Sequence, residues 1–337
     1  MHMDNVGRLD TGQLSALTAL VKRAEAVDQV APLSEQVLLA ARDDTSIDAG
    51  TPHVHFLAYD GTHLAGYAHL ERGPATEAAS ADSGLAAAAG VAEAATAEVV
   101  VDPADRRQGV ATALIRAMQV ALGPMAGSLR TWAHGHLDGA RALASRDGYS
   151  VVRELWSMRR PLPPDDGSLP AVALPDGFTA RHFIVGQDEK AWLRVNARAF
   201  ANHAEQGRLT RHDLDLRVAE PWFDATGFIL VEDTRDAVPV LAASHWTKIV
   251  ASARPGVRPT QGEVYVVGVD PAYQGLGLGR AATILGLEHL RERGVTEAVL
   301  YVDGDNTAAV ATYARLGFTR FAVDVMYSPA LAPLVPR

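Results

Sequence analysis

The chain contains no cysteine, which removes disulfides, thiol nucleophiles and cysteine-ligated zinc or iron–sulfur centres from its chemistry. Lysine is scarce as well: only Lys22, Lys190 and Lys248 stand among 31 basic residues, against 40 acidic ones. The formal charge of −9 leaves no broad basic surface for phosphate backbones. Nucleic acid is therefore not expected as a principal partner, and any anion has to be met locally. No run of about 18 apolar residues occurs, and the N-terminus MHMDNVGRLDTG lacks an apolar core of signal-peptide length. A cytoplasmic protein with no membrane partner is expected. Few lysines beside abundant alanine match GC-rich bacterial codon usage.

What is present is a duplication. A length of 337 residues, 48% of them hydrophobic, suits two ordinary cores. VVVDPADRRQGVATALIRAMQVAL (Val99 to Leu122) and VVGVDPAYQGLGLGRAATILGLEHL (Val266 to Leu290) share one layout of strand, Asp-Pro turn, glycine turn and apolar helix. Asp102 and Asp270 lie 168 positions apart, and the pairs Gly148-Tyr149 and Gly317-Phe318 lie 169 apart.

Each copy opens with an apolar-periodic helix, Leu14 to Val27 and Glu189 to Ala201. Strands follow at His53 to Leu70 and Gly227 to Lys248, with hairpin turns at Asp60-Gly61 and in DTRDA. The strand-turn-helix unit comes next, and a strand, short helix and strand close each copy. This order specifies an α/β fold with a mixed sheet. The boundaries expected are 1–163 for the first domain, 164–176 for a linker inside the proline-rich Pro161–Gly177 stretch, and 177–337 for the second. The low-complexity stretch Ala75 to Ala97 reads as a loose insertion between strands or a solvated alanine-rich helix.

After a strand, the N–H groups of a glycine turn and of the next helix's first turn lack internal partners and form an anion site. A pyrophosphate is the natural guest of QGLGLGR. A Rossmann turn competes, but it needs a chain-initial βαβ unit and a ribose-binding acid on the next strand. Here antiparallel strands come first, and EAVLYV ends on no well-placed acid.

The pattern Q/R-x-x-G-x-G/A after a strand resembles the acetyl-CoA signature of the GNAT N-acetyltransferases, and DNTAAVATYARLGF resembles their second signature, N-x-x-A-x-x-x-Y-x-x-x-G-F. The resemblance implies two tandem GNAT domains, each a mixed, largely antiparallel sheet flanked by helices, with acetyl-CoA as acetyl donor. In the second copy it places cofactor contacts at Val267, Gly268, Val269, Gln274, Gly275, Leu276, Gly277, Leu278, Gly279, Arg280, Asn306, Thr307, Ala308, Ala309, Val310 and Ala311. In the first copy it places them at Val99, Val100, Val101, Arg106, Arg107, Gln108, Gly109, Val110 and Ala111. The backbone of Val267 to Val269 is expected to bind pantetheine as an added strand and to polarise the thioester carbonyl. Asn306 is open to two roles, helix cap and pantetheine contact.

AVDQVAPLSEQVL, WAHGHLDGARALA, HAEQG, HWTK and GEVYVVGVDP further resemble the tandem-domain mycothiol synthases within that family, which acetylate the cysteinyl amine of cysteinyl-glucosaminyl-inositol. That resemblance implies a small thiol amine as substrate, with contacts at Glu35, Glu205, Lys248, Glu263 and Tyr301; a monomer is expected.

Acetyl transfer to an amine needs an uncharged nitrogen, a polarised carbonyl and a proton for the leaving thiolate. Glu263, at the start of EVYVVGV, is the expected base and ammonium anchor; a solvated strand-end carboxylate is its bland alternative. It faces the same side as Val267 and Val269 only if no bulge intervenes. Tyr313, two helical turns after Asn306, resembles the family's thiolate-protonating tyrosine and could instead be a core residue. Gapless shifts of 168 and 169 place Ala95 and Ala144 at these positions in the first copy, which is therefore expected to be non-catalytic.

His53-x-His55 and His134-x-His136 each put two imidazoles on one face if extended, but neither shows a third ligand in sequence, so no metal is expected. Two other functions stay open: acetylation of another amine, such as an aminoglycoside or a peptide N-terminus, and a non-catalytic acetyl-CoA sensor.

Overall fold

The computed structural model describes residues 1–43, 53–72, 95–163, 169–201, 206–250 and 260–329. The expected linker is described only from residue 169, and residues 75–94 of the alanine-rich stretch lie outside the described residues.

The chain forms two compact units, Met1–Leu155 with Val323 onward, and Trp156–Ala322. These units do not follow the proline-rich boundary. Backbone pairing decides membership: Val325, Met326 and Tyr327 pair with Ala133, Trp132 and Thr131 of the first unit. Leu162, before the proline-rich stretch, donates its N–H to Thr296 O of the second unit (2.7 Å).

The first unit runs β1 (His2–Val6), α1 (Thr11–Asp28), α2 (Glu35–Arg42), β2 (His53–Asp60), β3 (His63–Glu71), β4 (Thr96–Val101), α3 (Val110–Leu122), β5 (Arg130–Ala133) and α4 (Asp138–Arg146). After β6 (Tyr149–Pro161), the second runs β7 (Phe178–His182), α5 (Glu189–Ala199), α6 (Arg211–Val218), β8 (Phe228–Asp233), β9 (Val240–Lys248), β10 (Gln261–Val269), α7 (Leu278–Glu292), β11 (Glu297–Asp303) and α8 (Thr307–Arg315). The last strand, β12, spans Thr319–Pro329.

Sheet order is β1-β2-β3-β4-β5 in the first unit and β7-β8-β9-β10-β11 in the second. The pairs β4/β5 and β10/β11 are parallel, whereas β2/β3, β3/β4, β8/β9 and β9/β10 are antiparallel. The parallel pairs require crossovers, and α3 and α7 supply them. Each helix buries one stripe on its sheet: Val110, Leu114 and Met118 against Phe56, Ala68 and Leu70, and Ile284, Leu287 and Leu290 against Val264, Ala298 and Leu300. On the opposite faces α1 and α2 cover Leu57, Tyr67 and Val100, while α5 and α6 cover Phe228, Trp246 and Val266. The segment Val110–Ser128 is long and apolar enough to cross a membrane by length and composition, but it contains Arg116 and its apolar stripe lies in this core.

The 3₁₀ turn His134–His136 has Gly135 left-handed (φ 68°), so these histidines do not share a strand face. His134 instead sits between two carboxylates, with Nδ1 3.0 Å from Asp324 and Nε2 3.2 Å from Glu98. Glu98 also accepts the Ser34 N–H (2.6 Å), and Asp324 accepts that of Gly135 (2.7 Å). Burial alone lowers an imidazole pKa, but the two carboxylates outweigh it and raise His134 to about 10. The raised value means that the ion pair stabilises the fold fully below pH about 6.5 and that this contribution fades as pH climbs to 10. Asp324→Asn should cost about 3 kcal/mol near neutral pH. Urea unfolding of both proteins should show the gap narrowing between pH 7 and 10; a gap constant across that range contradicts the charged assignment.

Candidate functional site

The two strands that frame the site separate where the chemistry is expected. Pairing between β10 and β11 joins Gln261–Val264 to Glu297–Leu300 and ends there, although β10 continues to Val269 and β11 to Asp303. Beyond that point the backbone edge of Val266–Val269 faces the opening rather than a parallel neighbour. This is the stretch that an extended ligand can join by strand-like hydrogen bonds.

At the end of β10 the chain turns on Asp270, which is 5% exposed, accepts the Ala272 N–H (2.9 Å) and lies 3.1 Å from Arg198. Gln274, Gly275, Leu276 and Gly277 follow on the surface, with Gly275 and Gly277 left-handed at φ 81° and 80°. Side chains cap α1, α2, α6 and α8, through Asp10, Ser34, Thr210 and Asn306. Gly277 opens α7 with no side-chain cap, and a Cβ built on it meets nothing within 4 Å. The turn thus offers helix N-terminal donors and open space to an anion. Leu278 is buried in the core beneath it, Gly279 is half-buried with its Cβ position 3.4 Å from Val269, and Arg280 is exposed.

Glu263 does not share a face with Val267 and Val269. A bulge lies between Val264 and Val266, so that Glu263 pairs with Lys248, Val264 with Thr247 and Val266 with Trp246. Tyr265 is the extra residue. The bulge turns Glu263 to the α5/α6 face with Val266 and Gly268, while Val267 and Val269 pack with the α7 side. Glu263 is half-buried there, directly opposite Lys248.

The Lys248 ammonium lies 4.9 Å from the Trp222 ring centre and 5.1 Å from that of Tyr265. Arg217, 7% exposed, donates Nε to Tyr265 Oη (2.8 Å) and fixes that ring. A carboxylate, an ammonium and two aromatic faces therefore border one end of β10. Trp222 and Tyr265 escaped the sequence reading, since nothing in PWFDATG or EVYVV marks an aromatic that packs under a lysine. Within HWTK only Lys248 reaches this face together with the core residue Trp246. His245 is fully buried against Ala282 O (2.8 Å), and burial lowers its pKa to about 4, so it is neutral packing. Glu205 lies outside the described residues; its neighbour Gln206 is tied to Asn196 by reciprocal bonds of 2.7 and 3.0 Å. Tyr301 is 51% exposed on β11, one residue past the last paired position. Glu35 starts α2 in the first unit.

On α8, Asn306 caps the helix by accepting the Ala309 N–H (3.1 Å), so the capping role is occupied. Thr307, Ala308, Ala309, Val310 and Ala311 form its first turns. Tyr313 packs edge-on against Phe318, 5.9 Å between ring centres. Burial raises its phenol pKa to about 12, which keeps the proton on oxygen at neutral pH.

The first unit repeats the frame with different contents. Its β4/β5 pairing ends at Glu98/Trp132, and a cleft of about 900 Å³ opens among Val99–Val101, Arg106, Arg107, Gly109, Ala111 and Ala144. Arg106 is held by Asp28 through two bonds of 2.8 and 2.6 Å. Arg107 takes the left-handed conformation (φ 63°) that Gly275 takes in the other loop. Gln108 is exposed and bonds Ala104 O (3.2 Å), and Gly109 opens α3 without a side-chain cap ahead of the buried Val110.

The β4 strand has no bulge, and this corrects the gapless shift to Ala95. Asp102 N bonds Ala65 O and Asp270 N bonds Ala242 O (2.9 Å each). Six residues along the partner strands, Glu71 pairs with Thr96 and Lys248 pairs with Glu263. Thr96 is thus the counterpart of Glu263, displaced by the one residue that the bulge inserts. Neither a base at Thr96 nor an acid at Ala144 is available, whatever the volume of the cleft.

The model of the acetyltransferase (GNAT) family matches residues 21–149 and 197–318. The mycothiol acetyltransferase of Thermomonospora curvata is 50% identical over 317 residues, 94% of this chain and 93% of that protein. That of Kytococcus sedentarius is 47% identical over 315 residues, 93% of each chain. Among solved structures, a tandem GNAT protein from the clavulanic acid biosynthesis pathway aligns with a TM-score of 0.66 at 17% identity, covering 98% of this chain and 99% of that one. A GCN5-related N-acetyltransferase from Sphaerobacter thermophilus aligns with a TM-score of 0.59 at 23% identity, covering 98% and 97%. These structural likenesses concern the fold.

The raised pKa of Tyr313, half-buried against the core, has a direct optical consequence. In the ultraviolet titration difference between wild type and Tyr313→Phe, the phenolate signal should reach half its amplitude well above pH 10. Half-titration near pH 10 would contradict the raised pKa.

Proposed function

Because the chain belongs to the acetyltransferase (GNAT) family, we propose that it transfers the acetyl group of acetyl-CoA to the cysteinyl amine of cysteinyl-glucosaminyl-inositol, giving mycothiol. The observation that carries this reading is the 47–50% identity, over more than nine-tenths of the chain, to proteins named mycothiol acetyltransferase. GNAT acetyltransferases use acetyl-CoA, and the geometry of the second unit suits its parts. The uncapped start of α7 and the exposed Gln274–Gly277 turn receive the pyrophosphate, and the edge of Val267–Val269 receives pantetheine.

Transfer forms a C–N bond and breaks the C–S bond of the thioester. Glu263 takes the ammonium proton, through water, the neutral amine attacks the carbonyl carbon, and the nitrogen of the tetrahedral intermediate gives up its second proton to solvent. A β10 N–H stabilises the developing oxyanion, and Tyr313 returns a proton to the departing thiolate. The α-amino group, with an ordinary pKa of about 7.7–8.0, is already roughly 10–20% neutral at pH 7. The base therefore has a light task, and Glu263 also attracts the ammonium form. Lys248 and Tyr301 contact the polar remainder of the substrate.

The first unit does not turn over acetyl-CoA, since Thr96 and Ala144 replace the acid–base pair. The enzyme is read as a cytoplasmic monomer whose acetyl transfer uses neither metal, membrane nor nucleic acid; its negative net charge of −9 supports the last point.

Incubation with acetyl-CoA and a panel of amines, followed by free-thiol release, tests the acceptor: cysteinyl-glucosaminyl-inositol should be preferred over an aminoglycoside or a peptide N-terminus. A flat preference would overturn the acceptor, and absence of turnover with every amine would overturn the enzyme. In the same assay Gly277→Val, which forces a branched residue to φ 80°, should lose at least about 100-fold in kcat/KM. Gly109→Val should retain most of the activity. Equal losses in folded variants would contradict a single catalytic unit.

A further inference from the structure

We propose that His53, His69 and Glu71 of the first unit form a binding site for a divalent zinc-class cation, separate from the acetyl-transfer chemistry. One ligand atom from each of the three lies within 4.8 Å of the other two. The arrangement is set by register: on the antiparallel pair β2/β3, His53 stands opposite Glu71 and His55 opposite His69. Strand alternation puts all four side chains on one face.

Three observations point to a ligand. His69 is 2% exposed, yet neither of its ring nitrogens has a hydrogen-bond partner among the described residues. Buried polar nitrogens are nearly always satisfied, so this imidazole calls for an acceptor of its lone pair. The ring centres of His53 and His69 lie 5.0 Å apart. Two imidazoles bound at about 2.1 Å to one tetrahedral ion place their ring centres about 5 Å apart, so the backbone already holds the separation that coordination needs. The third observation is the donor set. Two neutral imidazoles and a carboxylate suit zinc among common divalent ions, and they leave one position for water.

The surroundings also fit. Glu98 stands opposite His69 in β4 but is engaged by the Ser34 N–H and by His134, so it does not satisfy the His69 nitrogens. His55 is engaged through Nδ1 with Tyr67 Oη (2.7 Å), which leaves His53 and Glu71 as the nearer partners of His69. The sequence showed His53-x-His55 with no third ligand; pairing with β3 supplies two. The second grouping in this unit, His63, Asp102 and Asp105, differs because Arg23 already lies 2.6 Å from Asp102.

The test uses full-length protein stripped with chelator and titrated with Co²⁺, read by its visible absorption, then with Zn²⁺ in competition. The wild type should take up one equivalent of Co²⁺ at micromolar concentration and show a rise in Tm with Zn²⁺. His53→Ala and the near-isosteric Glu71→Gln should each weaken binding by roughly 10–100-fold. His63→Ala should bind as the wild type does. Failure of the wild type to bind either ion would leave water as the partner of His69 and overturn the proposal. Undiminished binding by Glu71→Gln, or loss of binding in His63→Ala alone, would overturn it equally.

Discussion

The site depends on breaking a β-ladder at one place. A sheet gains stability by pairing every strand edge, and an unpaired edge in the interior leaves polar backbone groups without partners. The β10/β11 ladder nevertheless ends at Val264/Leu300, and the bulge at Tyr265 disrupts the other edge of β10 at the same level. The separation exposes a row of amides to an extended ligand. The bulge rotates Glu263 to the face that carries Lys248, Trp222 and Tyr265. The unpaired amide edge and the polar side chains thereby occupy different parts of one strand. α7 closes the arrangement, since its start at a left-handed glycine leaves the first turn without a side-chain cap.

The same frame in the first unit carries different side chains at the positions proposed for catalysis. Without the bulge, the position opposite Glu71 is Thr96, and the acid position on α4 is Ala144. The polar residues of this copy have moved to the next strands. Across from one another stand His55, His69 and Glu98, and Glu98 reaches His134, which reaches Asp324. In the second unit the comparable strand positions hold Phe228 and Trp246, stacked at 4.4 Å in an apolar core. One scaffold thus carries an aromatic core in one copy and a buried line of titratable groups in the other.

Much of this was legible in the sequence, for physical reasons. The duplication, both glycine turns, the hairpins and the opening helices rest on local periodicity and turn chemistry, which the sequence carries directly. The bulge was not legible, because EVYVVGV alternates as well as an unbulged strand does and only the register with HWTK shows the extra residue. The face of Glu263 and the true counterpart of that residue followed from it. Trp222 was missed because it sits in a loop far from β10 in sequence. The proline-rich stretch reports linker character by composition, whereas the compact units divide at Leu155 and Trp156. The histidine cluster was half visible: HVH announced two imidazoles, and the partners arrived only with the β2/β3 register.

The central claim is that the bulge presents Glu263 as the base for an amine that is already partly neutral. The most direct measurement is the pH dependence of kcat/KM for wild type and Glu263→Gln between pH 6.5 and 9. The variant should be clearly slower at pH 7 and recover part of its loss by pH 9, where solvent has deprotonated an α-amine of pKa about 7.7–8.0. The same fractional defect at every pH would make Glu263 a positioning residue and contradict the account.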